Sequence, residues 1–217
     1  MKSTSVKIKL SKLYILDEFI FTAYGAIFLG NLKAEMFNRK ASNPKSKPLE
    51  VIEILSIKEG ESILDIGSGG GFFSLLFAEK VGKNGMVYAS DTNKEFLDYI
   101  EETKSSRGLS NIKTVYISKE IPEISGECID LIFMRNVYHH LKDRVEYFSK
   151  IKKVLKPKGR VAIIDYIGNK GFSFHRMMGH STSKETMVED LESSGFKLIK
   201  DANILPEQNF LIFQLKK

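Results

Sequence analysis

Residues Ile63 to Phe73 read ILDIGSGGGFF, an apolar strand that ends in an acid and then breaks into a glycine-rich turn before an apolar helix. Glycines at this turn leave room for a ligand to approach the backbone, because a side chain would block both the tight turn and the ligand. The helix that begins near Phe72 points its free N–H groups into the same space. The stretch therefore predicts a nucleotide-like ligand at the mouth of an α/β sheet.

The details of the loop indicate which kind of nucleotide fits. A dinucleotide loop would read G-x-G-x-x-G after the first strand. Counted from Gly67 and Gly69, its third glycine falls on Phe72, so the match fails. A carboxylate at Asp65 would repel a pyrophosphate, whereas it would attract an ammonium group directly or through a bridging water. The loop therefore favours a ligand with an amino-acid head.

The next apolar run, MVYASD over residues 86–91, also closes on an acid. Asp91 follows the glycines at close to the spacing of about 20 residues at which α/β nucleotide folds place a ribose-binding acid. We therefore expect Asp91 to accept hydrogen bonds from ribose hydroxyls. Thr92 and Asn93 come next and are good N-cap types for a helix over residues 94–106.

In these features the chain resembles the class I S-adenosylmethionine-dependent methyltransferases. The run Asp65-x-Gly67-x-Gly69-x-Gly71 resembles the first motif of that family, and Asp91 resembles its ribose acid. Residues 128–141, CIDLIFMRNVYHHL, resemble the fourth strand and the helix entry after it. Residues 154–165, VLKPKGRVAIID, resemble the loop and the fifth strand. The resemblance covers about residues 49–217, with four motifs in the family's order.

The resemblance implies S-adenosyl-L-methionine as the cofactor and S-adenosyl-L-homocysteine as its product. The residues expected to bind the cofactor are Asp65, Gly67, Ser68, Gly69, Gly71, Asp91, Thr92, Ser118, Lys119, Arg135 and Asn136. The chain departs from the family after the third strand, where many relatives have an acid for the adenine amino group and this chain has Ser118 and Lys119. It departs again in the first fifty residues, a segment that in the family helps to form the substrate pocket.

The order of apolar segments predicts an α/β fold of Rossmann-like type, with a seven-stranded, mostly parallel sheet. Residues 1–48 are expected to form an N-terminal helical lid, and residues 49–217 the cofactor-binding domain. Thr182 and Glu185 predict a capping box that opens a late helix, which Gly195 closes. Two last strands joined by a turn over residues 206–208 predict an antiparallel hairpin, and the family resemblance implies that it lies at the edge of the sheet. Predicted strands are residues 63–66, 86–90, 112–117, 129–134, 160–166, 196–204 and 209–215, and predicted helices are residues 49–55, 72–81, 94–106 and 144–155.

Composition limits the classes of binding partner and the cellular compartment that we expect for this chain. The net charge is +6, but the lysines are scattered between acids and no dense basic run occurs, so no nucleic-acid partner is expected. The positive charge also leaves open a peripheral contact with a membrane surface. Residues 13–29 are too short and too acidic to span a membrane. The single cysteine, Cys128, excludes an internal disulfide, and with no signal peptide the expected location is cytoplasmic. No metal site is expected, because no Cys or His cluster has ligand spacing.

The expected chemistry is in-line displacement of a methyl group from a sulfonium, which needs no covalent nucleophile from the protein. Alignment of the reactants can recover about 7 to 11 kcal/mol of the barrier. Candidate bases are His139, His140, His180 and Tyr24, each of which can instead be a packing or capping residue. Adjacent helical residues diverge by about 100 degrees, so His139 and His140 are not expected to face one proton together.

Two further segments are candidates for the acceptor pocket. Residues 171–182 contain His175 and His180, together with Phe172, Phe174, Met177 and Met178, and can equally form a helix that packs on the sheet. Tyr14 and Tyr24 in the N-terminal segment are lid or core aromatics.

The sequence thus predicts methyl transfer to a small, apolar or amphipathic acceptor. A metalloid methyltransferase that uses a cysteine triad is disfavoured, because the chain lacks the cysteines. Two other classes stay open: a non-catalytic S-adenosylmethionine-binding subunit or sensor, and a nicotinamide-dependent oxidoreductase.

Overall fold

A computed structural model of the chain describes residues 29–118, 121–126, 128–167 and 182–216. Helices are α1 (residues 29–41), α2 (Pro48–Leu55), α3 (Phe72–Val81), α4 (Lys94–Ser106), α5 (Arg144–Ile151) and α6 (Lys184–Ser193). Strands are β1 (Ser62–Ile66), β2 (Met86–Asp91), β3 (Ile112–Tyr116), β4 (Ile129–Arg135), β5 (Leu155–Tyr166), β6 (Phe196–Asp201) and β7 (Gln208–Leu215). Short 3-10 helices span Pro44–Ser46, Tyr138–His140 and Lys152–Val154.

These strands form one sheet of seven, in the order β3-β2-β1-β4-β5-β7-β6. Strands β1 to β5 pair in parallel, and β7 runs antiparallel to both β5 and β6. The predicted Rossmann-like sheet with an antiparallel edge hairpin is therefore confirmed. The strand order reverses between β1 and β4, and ligands of such sheets bind in the crevice at the carboxyl ends of the strands on either side of that point.

The apolar core lies on both faces of the sheet. Helices α2, α3 and α4 cover one face, where Phe77 and Phe133 pack edge to face at 5.1 Å between ring centroids. Helices α5 and α6 cover the other, around Phe148 and Phe196. Strand β4 contributes Leu131 and Phe133 to the first cluster and Ile132 and Met134 to the second. Because β4 is buried on both sides, its sequence is an almost continuous apolar run.

Several predicted boundaries in the second half are wrong. Strand β5 begins at Leu155 rather than residue 160, because the chain pairs with Ile129, bulges, and resumes pairing at Arg160. The helix before it accordingly ends at Ile151 and continues as a 3-10 turn. Strand β6 ends at Asp201, three residues before the predicted end.

The predicted capping box is also wrong by one residue. Ser183, not Thr182, caps α6, and its hydroxyl accepts from the Thr186 amide at 3.1 Å. Thr182 instead forms an isolated bridge to Ile167, which ends the extended chain before the helix. Gly195 follows the end of α6 with φ of +93°, as its sequence position predicts.

The N-terminal segment is described only from residue 29. Within that part α1 is helical, and its Ala34 is completely buried. Among the described residues, no helix has the length and apolar character needed to cross a membrane.

Candidate functional site

A cavity of about 980 Å³ opens at the carboxyl ends of β1, β2 and β4. Its walls come from α1 and the following 3-10 turn, from the glycine loop, and from the segments after β4 and before β7. The sequence-predicted cofactor residues that line it are Asp65, Gly67, Ser68, Gly69, Asp91, Thr92, Arg135 and Asn136, and the candidate bases that line it are His139 and His140. The crevice is thus at the point that the strand order indicates.

The glycine loop is held in shape by backbone hydrogen bonds to β2. The amides of Gly67 and Ser68 both donate to the Ser90 carbonyl, at 2.8 and 3.0 Å. Gly67 has φ of +70°, and a Cβ there would lie 2.3 Å from Val137 Cγ2. Gly71, at φ of +80°, would place a Cβ 2.6 Å from Ile100 Cγ1 of α4. These two glycines are therefore required by packing within the protein, in addition to any ligand.

Asp91 bonds to the loop as well as facing the cavity. Its Oδ2 accepts from the Gly69 amide at 2.9 Å, and its Oδ1 accepts from the Asn93 amide at 2.9 Å. Asn93 in turn caps α4 by accepting from the Glu95 amide at 2.8 Å. A carboxylate has about four acceptor positions. Asp91 therefore keeps capacity for hydroxyl donors of a ligand while it fixes the amide of Gly69.

Asp65 lies at the base of the cavity and is almost completely buried. Burial raises the pKa of Asp65 to about 7; the hydrogen bond from Ser74 Oγ, at 2.5 Å, opposes the rise, and the charge of Asp91 adds to it. Burial therefore favours the protonated carboxyl group of Asp65, whereas the sequence suggested a carboxylate charge. A cation that bound beside Asp65 would have to displace this proton.

Ser68 contributes an unsatisfied polar atom. Its hydroxyl is buried, lines the cavity wall with the rest of the loop, and has no hydrogen-bond partner among the described residues. Buried hydroxyls without partners are uncommon in folded proteins. This one fits a site that receives a polar ligand.

Helix α1 crosses the glycine loop and bonds to it through Asn38. The Asn38 amide nitrogen donates to the Gly70 carbonyl at 2.8 Å, and its oxygen accepts from the Phe72 amide at 3.1 Å, the first of α3. A Cβ at Gly70 would lie 2.3 Å from the Ala34 carbonyl oxygen, so the contact is close. Sequence analysis missed Asn38, because nothing in the local pattern of α1 indicates a partner 32 residues away.

Arg135 ends β4 and Asn136 follows it, at the carboxyl end of the strand as predicted, and both line the cavity. An Arg135 guanidinium nitrogen donates to Ser46 Oγ at 3.1 Å, and the group lies 5.8 Å from the Phe73 ring centre. Burial lowers the pKa of Arg135. Asn136 adopts φ of +58°, and its side-chain oxygen accepts from the side-chain Nε2 of Gln208.

His139 is bonded to Asp165 at the end of β5. Its Nδ1 lies 2.7 Å from Asp165 Oδ1, and its backbone amide donates to Asp165 Oδ2 at 3.0 Å. Asp165 is completely buried. Sequence analysis did not single out Asp165, although it ends an apolar strand just as Asp65 and Asp91 do, and that shared pattern was a usable signal.

The rings of His139 and His140 nevertheless lie close together, with centroids 4.0 Å apart on the 3-10 turn Tyr138–His140. That the two do not face one proton together stays a prediction. Gly71 and Ser118 do not belong to the cavity wall, and Ser118 is exposed. Lys119, His175, His180, Tyr14, Tyr24 and the Phe and Met residues of 171–182 lie outside the described residues, so their predicted roles stay predictions.

Comparison with known proteins adds a family and relatives. The family described as "Methyltransferase domain" matches residues 57–207. The ubiquinone/menaquinone biosynthesis C-methyltransferase UbiE of Francisella philomiragia is 29% identical over 122 residues, which are 54% of this chain and 47% of that protein. An arsenite methyltransferase of Halobacterium salinarum is 28% identical over 152 residues, 66% of this chain and 39% of that protein. The chain thus spans about half or less of the length of these curated relatives.

Among solved structures, a SAM dependent methyltransferase from Aquifex aeolicus superposes with a TM-score of 0.74 at 24% identity. The match covers 83% of this chain and 98% of that one. At that identity the likeness shows a shared fold.

Proposed function

Because the chain belongs to the methyltransferase-domain family, we propose that it binds S-adenosyl-L-methionine in the cavity beside β1 and transfers the methyl group to a small-molecule acceptor. The observation that carries the proposal is the loop from Gly67 to Gly69, whose amides are fixed by β2 and by the Asp91 carboxylate at one end of the cavity. This arrangement offers backbone, a carboxylate and a hydroxyl to one ligand.

The residues present fit that cofactor. Asp91 would accept from the ribose hydroxyls, and the loop backbone would contact the amino-acid portion, for which the buried Ser68 hydroxyl offers an unused donor. Asp65 would receive the ammonium group on losing its proton. When bound, the cofactor supplies a methyl group activated by a positively charged sulfonium. The protein's part is to align the acceptor and exclude water, which can be worth about 7 to 11 kcal/mol.

The apolar walls support a small apolar or amphipathic acceptor. The apolar side chains that line the cavity include Phe37, Phe72, Phe96, Phe133, Leu141 and Leu205. Ligand pockets commonly have volumes of about 300 to 1,000 Å³, so this cavity has room for a cofactor and an acceptor together. That size favours an enzyme over a non-catalytic binding subunit.

The relatives' names refer to different acceptors, a carbon atom in one and arsenite in the other. Arsenite is a poor candidate for this chain, because soft thiolate ligands are the usual partners of such ions and the chain has one cysteine. Cys128 does not lie among the residues that line the cavity. The expected cytoplasmic location and the absence of a nucleic-acid partner stay predictions, as does a peripheral membrane contact.

We also propose that residues 1–48 cover the cavity as a lid. The support is that α1 and the turn Pro44–Ser46 already supply part of its wall, through Phe37, Asn38 and Ser46. A nicotinamide enzyme is the less favoured alternative, because Phe72 occupies the third-glycine position and packs against the core.

Two measurements test the proposal. Calorimetry should show binding of S-adenosylhomocysteine and none of NADH, and Asp91→Ala should weaken the first. Mass spectrometry of a cell extract incubated with the protein and methyl-labelled cofactor should show a labelled small molecule. Binding of NADH without binding of S-adenosylhomocysteine contradicts the proposal, and cofactor binding without any labelled product favours the non-catalytic alternative.

A further inference from the structure

We propose that Arg135 binds a carboxylate of the methyl acceptor, and that the acceptor is therefore a small amphipathic carboxylate. The inference rests on the proposed function, since it names the class of acceptor for the same cavity. It is carried by the contacts of the Arg135 side chain and by the distribution of charged groups in the cavity wall.

The guanidinium of Arg135 has few partners within the protein. Arginine carries five N–H donors and no acceptor. Among the described residues, the one hydrogen-bond partner of this guanidinium is Ser46 Oγ, 3.1 Å from Nη2, and no carboxylate lies within ion-pair distance. Its other nitrogens are not sealed in the core, and the side chain lines the cavity. Donors are therefore left for a ligand.

Two neutral groups hold the guanidinium in place. The Ser46 hydroxyl donates to the Lys40 carbonyl at 2.8 Å, so its oxygen is left to accept from Arg135. The guanidinium also lies 5.8 Å from the centre of the Phe73 ring, within the range of a cation–π contact. A hydroxyl and a ring orient the cation without neutralising its charge.

A carboxylate is the ligand group that this cation favours most. Arg135 is partly buried at the end of β4, and burial lowers its pKa, but an arginine side chain stays protonated in proteins. A charge removed from water without an opposite charge is unfavourable. A carboxylate would offset that cost and would accept two parallel N–H···O bonds from the guanidinium. A phosphate monoester, which carries about 1.5 to 2 negative charges near neutral pH, would leave excess charge beside a single buried cation.

The charged residues separate the two ends of the cavity. Asp65 and Asp91 lie in β1 and β2, where the cofactor is proposed to bind. Arg135 ends β4 and bonds to the turn after α1, and Lys40 and Lys45 reach the wall from α1 and that same turn. No described hydrogen bond joins Arg135 to the glycine loop or to the two acids, so we assign the carboxylate to the acceptor. The other charged residues of the wall are exposed: Lys142, Asp143 and Glu207.

Apolar groups beside the guanidinium suit the rest of the acceptor. Phe73 and Phe133 both line the cavity, and their ring centroids are 5.0 Å apart. An acceptor with one carboxylate and an apolar body would use both features. Because the guanidinium engages the lone pairs of the carboxylate, the methyl group goes to another atom of the acceptor, and the product keeps its negative charge.

The first experiment compares acids with their amides, which differ in charge but hardly in shape. Protein saturated with S-adenosylhomocysteine is titrated in a calorimeter with octanoate and octanamide, and with 4-phenylbutanoate and 4-phenylbutanamide. We expect at least one acid to bind about tenfold or more tightly than its amide, the lower end of the range for hydrogen bonds to charged groups. Arg135→Gln should remove this preference and leave the affinity for the amide within a few-fold of wild type. If neither acid binds wild type more tightly than its amide, the proposal is overturned.

Two further variants test the role of Arg135. Lys33→Gln removes the same charge from an exposed position of α1 outside the cavity wall, so the preference for the acid should be unchanged. Ser46→Ala keeps the guanidinium but removes its hydrogen-bond partner, and should lower the preference a few-fold with unchanged affinity for the amide. Loss of the preference in Lys33→Gln overturns the role of Arg135. An unchanged preference in Arg135→Gln, or in Ser46→Ala where Arg135→Gln does not fold, does the same.

The remaining outcomes separate the acceptor from the cofactor. 5′-Methylthioadenosine lacks the amino-acid part of the cofactor. If Arg135→Gln weakens binding of S-adenosylhomocysteine but not of 5′-methylthioadenosine, the guanidinium binds the carboxylate of the cofactor and the acceptor class is overturned. In the labelled cell extract the product should be retained by an anion exchanger at pH 7, and a neutral labelled product overturns the acceptor class alone. A protein that does not bind S-adenosylhomocysteine contradicts the proposed function itself.

Discussion

Replacing Asn38 by Ala tests whether α1 stabilises the glycine loop. The change removes the hydrogen bond to the Gly70 carbonyl and the bond from the Phe72 amide. A neutral hydrogen bond contributes about 0.5 to 1.5 kcal/mol net, so the two together contribute about 1 to 3 kcal/mol. Alanine has a higher helix propensity than asparagine, which offsets at most about 0.7 kcal/mol of this loss. The free energy of unfolding should therefore fall by about 0.3 to 2.3 kcal/mol.

Cofactor affinity should fall in the same variant. In the wild type the loop is already ordered by α1, whereas in Asn38→Ala part of that order must be gained on binding. If ordering the loop on binding costs about 1 kcal/mol in the variant, the dissociation constant of S-adenosylhomocysteine rises about fivefold. Urea unfolding followed by circular dichroism and calorimetry with S-adenosylhomocysteine measure the two quantities.

The matched control is Ser183→Ala, which removes the cap of α6 outside the cavity wall. Losing this cap should cost about 1 kcal/mol of stability and leave the affinity unchanged. Asn38→Asp separates the two bonds, because a carboxylate still accepts from Phe72 but cannot donate to Gly70. We expect it to recover only the part of the stability that the Phe72 bond supplies, and not the affinity, because its second carboxylate oxygen would repel the Gly70 carbonyl. Wild-type stability and affinity in Asn38→Ala would refute the reasoning.

Three further predictions concern the glycine loop and its acids. Asp91→Ala should weaken S-adenosylhomocysteine binding by more than one charge-assisted ribose bond contributes, which is about 1.5 to 3 kcal/mol, because it also frees the Gly69 amide; calorimetry that shows less than about a tenfold loss would contradict this. Burial raises the pKa of Asp65 to about 7, and cation binding needs its ionised form. Affinity for S-adenosylhomocysteine should therefore fall as pH drops below 7, and calorimetry should find the fall absent in Asp65→Asn. The free energy of unfolding should change with pH in the opposite direction. A raised pKa means that the folded state holds the proton of Asp65 more tightly than the unfolded state does, so this contribution to stability is lost as pH rises towards 7. Gly71→Ala should destabilise the fold through its φ of +80° and its 2.6 Å approach to Ile100 Cγ1, and the losses in urea midpoint of Gly71→Ala and Ile100→Ala should be less than additive in the double variant; additive losses would argue against that contact.

Local patterns in the sequence were sufficient to predict the sheet. Apolar runs such as that of β4 are long enough to be recognised without a partner, and an acid at the end of β2 identified Asp91 before any contact was known. The glycine-rich turn likewise predicted a crevice at the end of β1. The predicted strand boundaries were wrong where long-range pairing determines them. Strand β5, for example, begins at Leu155, which pairs with Ile129 before a bulge.

The sequence by itself determined the parallel sheet, the position of the crevice and the carboxylate that faces it, because each depends on side chains close together in the chain. Only the tertiary structure determined which residues distant in sequence contact one another. Asn38 meets Gly70 across 32 residues, and His139 meets Asp165 across 26. Gly71 is glycine because α4 packs against it. Contacts of this kind depend on how helices dock on the sheet, and no local periodicity carries that information.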